Sequence, residues 1–347
     1  MRNKPSVLVI YTGGTIGMIR ENQDGSLIPV DFERLQANIP EIARLEATID
    51  TITFDQSIDS SEMNTTHWIK LVEIIEENYD KYHGFVILHG SDTMAFSASA
   101  LSFMIENLNK PIIFTGSQLP LGVLRTDAKE NFITSLEIAA SHYKGLDNLA
   151  EVCIYFEYHL LKGNRTTKYS ASQFNAFQSA NYPPLAEAGV EIKFRELEQS
   201  TKRKELPVRF HKKLDNNIAI LKIFPGMSES YVKGILEIQG LRAVVIETFG
   251  SGNAPTADWF IARLQKAISQ GIILVNVTQC TSGRVIQGKY KTSEKLLKIG
   301  VVSGHDITTE SALTKLMFLL GNYSEPQKIR ELFSTPVSGE MTIQEMS

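Results

Sequence analysis

Short apolar runs alternate with helical patterns along most of this chain of 347 residues. Three runs in the N-terminal half are rich in Val and Ile and end in glycine and small polar residues: SVLVIYTGGT from residue 6, GFVILHGSDT from residue 84 and PIIFTGSQ from residue 111. Such runs are typical of strands buried on both faces of a parallel sheet. Between them lie two stripes at helical spacing: Trp68, Leu71, Val72, Ile75 and Tyr79, then Met94, Ala98, Leu101, Ile105 and Leu108. The pattern predicts an α/β fold with a mostly parallel sheet and flanking helices.

The alternation stops in one charged stretch and then resumes. Residues 196–217, ELEQSTKRKELPVRFHKKLDNN, contain a proline and no sustained apolar stripe, which fits an exposed linker or a polar edge strand. Further strands are predicted in NIAILKIFPG, LRAVVIETFGSGNAP and GIILVNVTQCTSG, with helical stripes at Phe260, Leu264, Ala267 and Ile268 and at Leu313, Leu316, Met317 and Leu320. We therefore predict a larger N-terminal α/β domain over residues 1–195 and a smaller C-terminal α/β domain over residues 218–347.

Composition and charge narrow the classes of function. The hydrophobic content of 43% is that of a globular protein, and the net charge of −4 gives no support to a nucleic-acid partner. The N-terminus, MRNKPSVLVIYTGG, has too short an apolar run for a signal peptide or a membrane span, which predicts a cytoplasmic protein without a membrane partner. Cys153 and Cys280 fit no metal-binding spacing, and both are expected to be reduced residues of the core.

Small polar residues follow the predicted strands. In open α/β sheets, ligands bind beyond the carboxyl ends of the strands, so these residues are the candidates for a site. The candidates are Thr12, Gly13, Gly14 and Thr15 after the first run, His89, Gly90, Ser91, Asp92 and Thr93 after the second, and Asp59, Ser60 and Ser61 before a helix expected to begin near Asn64. Two separate strand ends thus offer a hydroxyl group in a turn that contains glycine.

The residues alone leave several chemistries open. The glycines of TGGTIG do not match GxGxxG, and the histidines show no HxxxH spacing, so neither a dinucleotide nor a metal cofactor is predicted. A Ser-His-Asp triad is possible in principle, although no serine lies in a GxSxG turn. A hydroxyl nucleophile without histidine needs another base, and KGNRTTKYS supplies Lys162 and Lys168.

Five motifs in order resemble one family. YTGGTIGM, FVILHGSDTMAFSASALSFM, KGNRTTK, GSGNAP and VNVTQCTSG look like the bacterial L-asparaginase family, specifically its cytoplasmic type I branch, from residue 6 to about residue 320. The resemblance implies hydrolysis of the side-chain amide of L-asparagine to L-aspartate and ammonia, through a threonine nucleophile and an acyl-enzyme, without a cofactor. The alternatives are a glutaminase-asparaginase, the amidase component of a tRNA amidotransferase and, less favoured, an amino-acid-binding module without activity.

The resemblance also implies roles for individual residues. Thr15 matches the nucleophile, and Ser91 matches the family's second threonine, because this chain reads HGSDT. Asp92 would hold the α-ammonium group of the substrate, and Lys168 would pair with the Ser91 hydroxyl. The stretch Asp59, Ser60 and Ser61 matches the family's substrate-binding segment, in which the serines hold the α-carboxylate.

The C-terminal half contributes two candidates and one departure. Tyr290, in QGKYKTS, matches the tyrosine that supports catalysis in type I relatives, and Asn253, in GSGNAP, matches a residue that reaches the substrate of a neighbouring subunit in type II enzymes. Members of the family are homo-oligomers, either dimers or tetramers. Some type I enzymes also bind asparagine at an allosteric site near an arginine and a cysteine. Here Cys280 matches the cysteine but Glu247 occupies the arginine position, so we do not expect the same regulation.

Overall fold

The computed structural model describes residues 4–20, 27–29, 38–141, 149–196, 206–288 and 291–343. The chain divides into two compact units, Met1–Lys212 and Lys213–Ser347. Among the described helices, none combines the length and the hydropathy that a membrane span requires.

The first unit is a sheet with helices. Its strands are β1 (Ser6–Tyr11), β2 (Met18–Arg20), β3 (Leu27–Pro29), β4 (Thr48–Thr53), β5 (Gly84–Leu88), β6 (Ile105–Glu106), β7 (Ile112–Thr115), β8 (Val152–Phe156), β9 (His159–Lys162), β10 (Thr167–Lys168), β11 (Phe177–Gln178), β12 (Ala186–Ala188), β13 (Ile192–Phe194) and β14 (Arg209–Phe210). Its α-helices are α1 (Thr65–Asn78), α2 (Met94–Met104) and α3 (Ala128–Ser141). Short 3-10 turns cover Thr15–Gly17, Pro40–Arg44, Ser60–Glu62 and Gly163–Arg165.

Eight of the described strands form the main sheet, in the order β13-β12-β9-β8-β7-β5-β1-β4. Strands β8, β7, β5, β1 and β4 pair in parallel in that order. Beyond β8, the sheet continues by antiparallel pairing of β8 with β9, β9 with β12 and β12 with β13. Every residue of β5, β7 and β8 is buried, as expected for strands covered on both faces. On one face, Val7 and Val9 of β1 belong to the same apolar cluster as Phe132 and Leu136 of α3.

The second unit is smaller and is built in the same way. Its strands are β15 (Ile218–Lys222), β16 (Ala243–Thr248), β17 (Ile273–Thr278) and β18 (Val302–Ser303), which pair in parallel in that order. Its helices are α4 (Glu229–Leu236), α5 (Asp258–Ser269), α6 (Lys291–Ile299), α7 (Thr309–Asn322) and α8 (Pro326–Phe333). Val244 and Ile246 of β16 pack with Phe260 and Leu264 of α5. The predicted α/β class, with a larger and a smaller unit, is confirmed.

One predicted helix is too long. The stripe from Met94 to Leu108 predicts a helix that includes Ile105, but α2 ends at Met104 and Ile105 begins β6. The pairing of Ile105 with Phe210 of β14 extends the backbone at this point. Within the predicted linker 196–217, residues 197–205 lie outside the described residues, and Arg209–Phe210 forms the short strand β14.

Candidate active site

Two glycines follow β1 where the chain turns toward Thr15. Gly13 and Gly14 have φ values of 131° and 87°, a backbone conformation that side chains disfavour. A Cβ atom on Gly13 would lie 2.3 Å from the carbonyl oxygen of Ile58, and one on Gly14 would lie 2.5 Å from the backbone nitrogen of Gly90. The glycines therefore allow the turn to touch two other segments of chain. Thr15, which is half-buried, begins the 3-10 turn that follows.

Hydrogen bonds hold the same segments together. Thr12 Oγ1 donates to the carbonyl oxygen of Leu88 at the end of β5 (3.0 Å), and the backbone N–H of Ile58 donates to the carbonyl oxygen of Thr12 (2.8 Å). Thr93 Oγ1 donates to the carbonyl oxygen of Ser60 (2.6 Å). The turns after β1, before α1 and after β5 thus meet at the carboxyl edge of the parallel strands, as the sequence predicts.

The segment before α1 presents one carboxylate and two hydroxyl groups. Asp59 Oδ1 accepts hydrogen bonds from both the backbone N–H and the Oγ of Ser61, each at 2.9 Å. These bonds, the backbone one above all, lower the pKa of Asp59, which keeps it anionic at neutral pH. Ser60 is buried, whereas Asp59 and Ser61 are exposed. Helix α1 then begins after Asn64, whose side chain accepts from the backbone N–H of Thr66.

His89 supports the turn after β5 from within the core. Its Nδ1 lies 2.7 Å from the carbonyl oxygen of Gly90, and its Nε2 lies 2.8 Å from Ser97 Oγ. Because the Gly90 carbonyl oxygen can only accept, His89 donates from Nδ1, and the neutral ring accepts at Nε2 from the Ser97 hydroxyl. The Ser97 oxygen in turn accepts from Trp68 Nε1 (2.8 Å). Complete burial lowers the pKa of His89 to about 4. His89 is therefore neutral and has a structural role at this turn.

Lys168 joins the two polar side chains that follow Gly90. Its Nζ donates to Ser91 Oγ (2.9 Å) and to Asp92 Oδ1 (2.6 Å). The Lys168 side chain is 15% exposed and that of Asp92 is 67% exposed, so the cluster lies at the protein surface with its cation largely covered. Lys168 is held on β10, which pairs with Phe177–Gln178.

Gln118 is a polar neighbour of this cluster and was not among the site residues predicted from the sequence. It follows β7, the third strand end at this edge, and its Oε1 accepts from Ser91 Oγ (3.2 Å). The sequence feature that indicates Gln118 as a site residue is its position at the end of the run PIIFTGSQ, directly after a predicted strand. The hydrogen bond itself joins residues 27 positions apart and has no local signature.

The remaining candidates lie elsewhere or outside the described residues. Tyr290 is not among the described residues. Asn253 lies in the second unit just after β16, where its backbone N–H and carbonyl oxygen both pair with Phe249 (2.8 and 2.9 Å). Near the end of β16, the Glu247 carboxylate accepts from Thr309 Oγ1 (2.8 Å) and lies 3.3 Å from Lys222 Nζ. In the part of the chain that the structure describes, no group of His, Cys, Asp and Glu side chains has the arrangement of a metal site. Cys153 is buried, but Cys280 is exposed, so the predicted core position is wrong for Cys280.

Two family models match the two halves of the chain. The model described as "Asparaginase, N-terminal" matches residues 6–199, and the model described as "Glutaminase/Asparaginase C-terminal domain" matches residues 217–333. L-asparaginase 1 of Escherichia coli (strain K12) is 42% identical over 340 residues, which cover 98% of this chain and 98% of that protein. The 60 kDa lysophospholipase of Mus musculus is 38% identical over 362 residues, which cover 97% of this chain and 62% of that protein.

The structure is similar to solved structures along nearly all of its length. L-asparaginase I from Vibrio cholerae O1 biovar eltor str. N16961 superposes with a TM-score of 0.89 and 38% sequence identity, over 98% of this chain and 100% of that one.

Proposed function

Because the chain belongs to the asparaginase family, we propose that it is an amidohydrolase that converts L-asparagine to L-aspartate and ammonia. Family membership confirms the resemblance that the five motifs indicated. The observation that carries the proposal is the contact of Lys168 Nζ with both Ser91 Oγ and Asp92 Oδ1, beside the turn that presents Thr15. A cation, a hydroxyl group and a carboxylate thus meet at the turn after β5, which touches the glycine turn before Thr15.

Thr15 is the nucleophile in this proposal. An amide is a poor electrophile with a poor leaving group, so an acyl-enzyme divides one difficult step into two. The Oγ of Thr15 attacks the side-chain carboxamide carbon, the C–N bond breaks, and a β-aspartyl ester forms as ammonia leaves. Water then cleaves the ester, which releases L-aspartate and restores the hydroxyl group. Backbone N–H groups of the glycine turn stabilise the oxyanion in both steps.

The proton of Thr15 needs an acceptor. Either Tyr290 or a water molecule in a relay through Lys168 accepts this proton. The same group then returns the proton to the departing nitrogen. The support for Tyr290 is its match to the family motif alone. The support for Lys168 is geometric, because its Nζ contacts Ser91 in the same group of turns.

In this proposal, the carboxylates of Asp59 and Asp92 and the neighbouring serines bind the substrate. Asp92 is exposed and anionic in its pairing with Lys168, which suits the α-ammonium group of the substrate. Ser60 and Ser61 hold the α-carboxylate. In the described state the Ser61 hydroxyl donates to Asp59, so it must turn away from Asp59 in order to donate to the substrate.

We infer two further properties from the family resemblance. The protein acts in the cytoplasm, and it assembles as a homo-oligomer, either a dimer or a tetramer, in which Asn253 approaches the substrate of a neighbouring subunit. Light scattering after size-exclusion chromatography measures the assembly, and a monomer at micromolar concentration would contradict this inference. The sequence predicts no cofactor for the reaction.

The first test is ammonia release from L-asparagine, with L-glutamine in parallel, from micromolar to tens of millimolar concentrations. Release from asparagine alone supports the proposal. Comparable release from both amides would identify a glutaminase-asparaginase instead. No release from either amide would overturn the proposal.

The second test assigns the nucleophile. We expect Thr15→Ala to abolish turnover while asparagine binding stays measurable by calorimetry, because the variant loses one hydroxyl group and no charge. Asp92→Ala is the matched control and should mainly weaken binding. Near-normal turnover by Thr15→Ala would make Ser91 the nucleophile.

A further inference from the structure

Ser91 lacks a constraint that a threonine at the same position would have. A β-branched side chain strongly prefers few χ1 values, whereas a serine hydroxyl has three staggered positions of similar energy. Ser91 is half-buried and accepts the hydrogen bond from Lys168 Nζ. If the hydroxyl leaves this position, Lys168 loses one of its two described partners. Some other group must therefore keep the hydroxyl in place.

Gln118 is placed to supply that constraint. The Ser91 hydroxyl accepts from Lys168 with one lone pair and donates its proton to Gln118 Oε1 at 3.2 Å. Two hydrogen bonds of opposite sense fix both the rotamer of Ser91 and the direction of its O–H bond.

The orientation of the Gln118 amide is itself determined. Its Nε2 donates to the backbone carbonyl oxygen of Gln173 at 3.0 Å. The reversed amide would place two carbonyl oxygens against each other, so the oxygen must face Ser91. Gln173 lies between β10 and β11, so the amide of Gln118 connects the turn after β7 with the hairpin that carries Lys168.

The backbone of Gln118 is held as well. The buried carboxylate of Asp127 accepts from the backbone N–H of Gln118 at 2.9 Å and from that of Leu119 at 3.1 Å. Asn131 of α3 donates to the same carboxylate and to the carbonyl oxygen of Gly116. The Gln118 side chain thus extends toward Ser91 from a fixed main chain.

We propose that Gln118 is a positioning residue that holds the hydroxyl of Ser91 against Lys168, a task that the methyl group of a threonine would otherwise perform. This proposal rests on the proposed asparaginase function. Gln118 acts through Ser91 and has no contact with the reacting atoms in the mechanism above.

A double-mutant cycle tests the coupling. Gln118→Met keeps an unbranched side chain of similar length and removes the acceptor, so kcat for asparagine should fall about 10-fold, the effect of one lost hydrogen bond, while KM changes less. In the Ser91→Thr background the same substitution should lower kcat by no more than about 2-fold, because the methyl group restricts χ1 without help from Gln118. Gln270→Met, at an exposed position after α5, is the control for a glutamine-to-methionine change.

Two outcomes would overturn the proposal. The first is an equal loss of kcat in the Ser91 and Ser91→Thr backgrounds. The second does not depend on activity: in a crystal structure of Gln118→Met, Ser91 Oγ should occupy more than one rotamer, and a single rotamer still bonded to Lys168 Nζ would contradict the inference. A wild-type protein that releases no ammonia, together with the expected rotamer change, would refute the asparaginase proposal and leave the Ser91–Gln118 coupling supported.

Discussion

At the scale of single residues, Gly14 ties the candidate nucleophile to the turn after β5. Its φ is 87°, and an added Cβ would lie 2.5 and 2.6 Å from the backbone N and Cα of Gly90. The three nearest atoms all belong to the backbone of His89 and Gly90, so no flexible side chain could move aside. We expect Gly14→Ala to lower the free energy of unfolding by about 2–5 kcal/mol and to abolish activity, since Thr15 must shift with its turn.

The chain contains a matched control for this prediction. Gly226 has nearly the same φ, 85°, but an added Cβ would have no atom within 4 Å. Gly226→Ala should therefore cost only the conformational strain, about 1 kcal/mol, and should leave ammonia release unchanged. Hydrogen exchange, analysed separately for peptides of each unit, measures the loss of stability in both variants. Equal losses in the two variants would show that contact with Gly90 is unimportant.

Some of these site residues were predictable from the sequence and others were not. The glycine turn, Ser91, Asp92 and Lys168 were selected because they follow buried strands or match a motif, and parallel strands bring their carboxyl ends to one edge. The close approach of Gly14 to Gly90 could not be predicted, because it depends on how two turns pack. The same holds for Gln118, which is linked to Ser91 only through the folded sheet.

At the scale of elements, a chain of hydrogen bonds joins α1, α2 and the end of β5. Trp68 of α1, Ser97 of α2 and His89 after β5 are all buried. Trp68 Nε1 donates to Ser97 Oγ, and the Ser97 hydroxyl donates to His89 Nε2. A protonated His89 would carry a second N–H toward the Ser97 hydroxyl, which could then no longer donate to it. Burial also disfavours the charge, which is why the pKa of His89 falls to about 4.

This depressed pKa predicts a pH dependence of stability. Between pH 6.5 and 4 the unfolded chain binds a proton at His89 that the folded chain does not, so stability falls as the pH falls through this window. From pH 7 to pH 5 the loss should be about 2 kcal/mol. Urea unfolding of wild type and of His89→Gln, which has no such titration, measures the contribution as the difference between their pH slopes. Identical slopes would mean that His89 titrates in the folded protein as it does in the unfolded chain.

The elements themselves were predictable where their signals are local. Asn64 marks the start of α1 because it caps the helix with its own side chain. The end of α2 was predicted wrongly, because Ile105 continues the apolar stripe but pairs with Phe210. A strand partner about a hundred residues away overrides the helical pattern at that position, and the sequence near Ile105 contains no sign of it.

At the scale of the whole molecule, the C-terminal residues of the second unit are attached by a buried ion pair. Lys315 of α7 and Glu340 are both fully buried, with Nζ and Oε1 2.6 Å apart. Lys315 also donates to the carbonyl oxygens of Phe333 and Thr335, and Glu340 accepts from the backbone N–H groups of Val337 and Ser338. The pair therefore connects a helix of the unit with the segment that follows α8. The sequence pattern does not indicate this pairing, because Lys315 lies among the apolar residues Leu313, Leu316 and Leu320 of the helical stripe.

Breaking this pair should destabilise the second unit more than removing it altogether. Lys315→Met leaves a buried carboxylate without its cation, which should lower the free energy of unfolding by about 3–5 kcal/mol. Combining Lys315→Met with Glu340→Gln removes both charges and should recover part of that loss, because the glutamine remains able to accept from Val337 and Ser338. Thermal unfolding of the single and double variants, with hydrogen exchange to identify the unit that opens, measures the difference. A double variant no more stable than Lys315→Met would mean that the loss comes from the carbonyl groups of Phe333 and Thr335 rather than from the unpaired carboxylate.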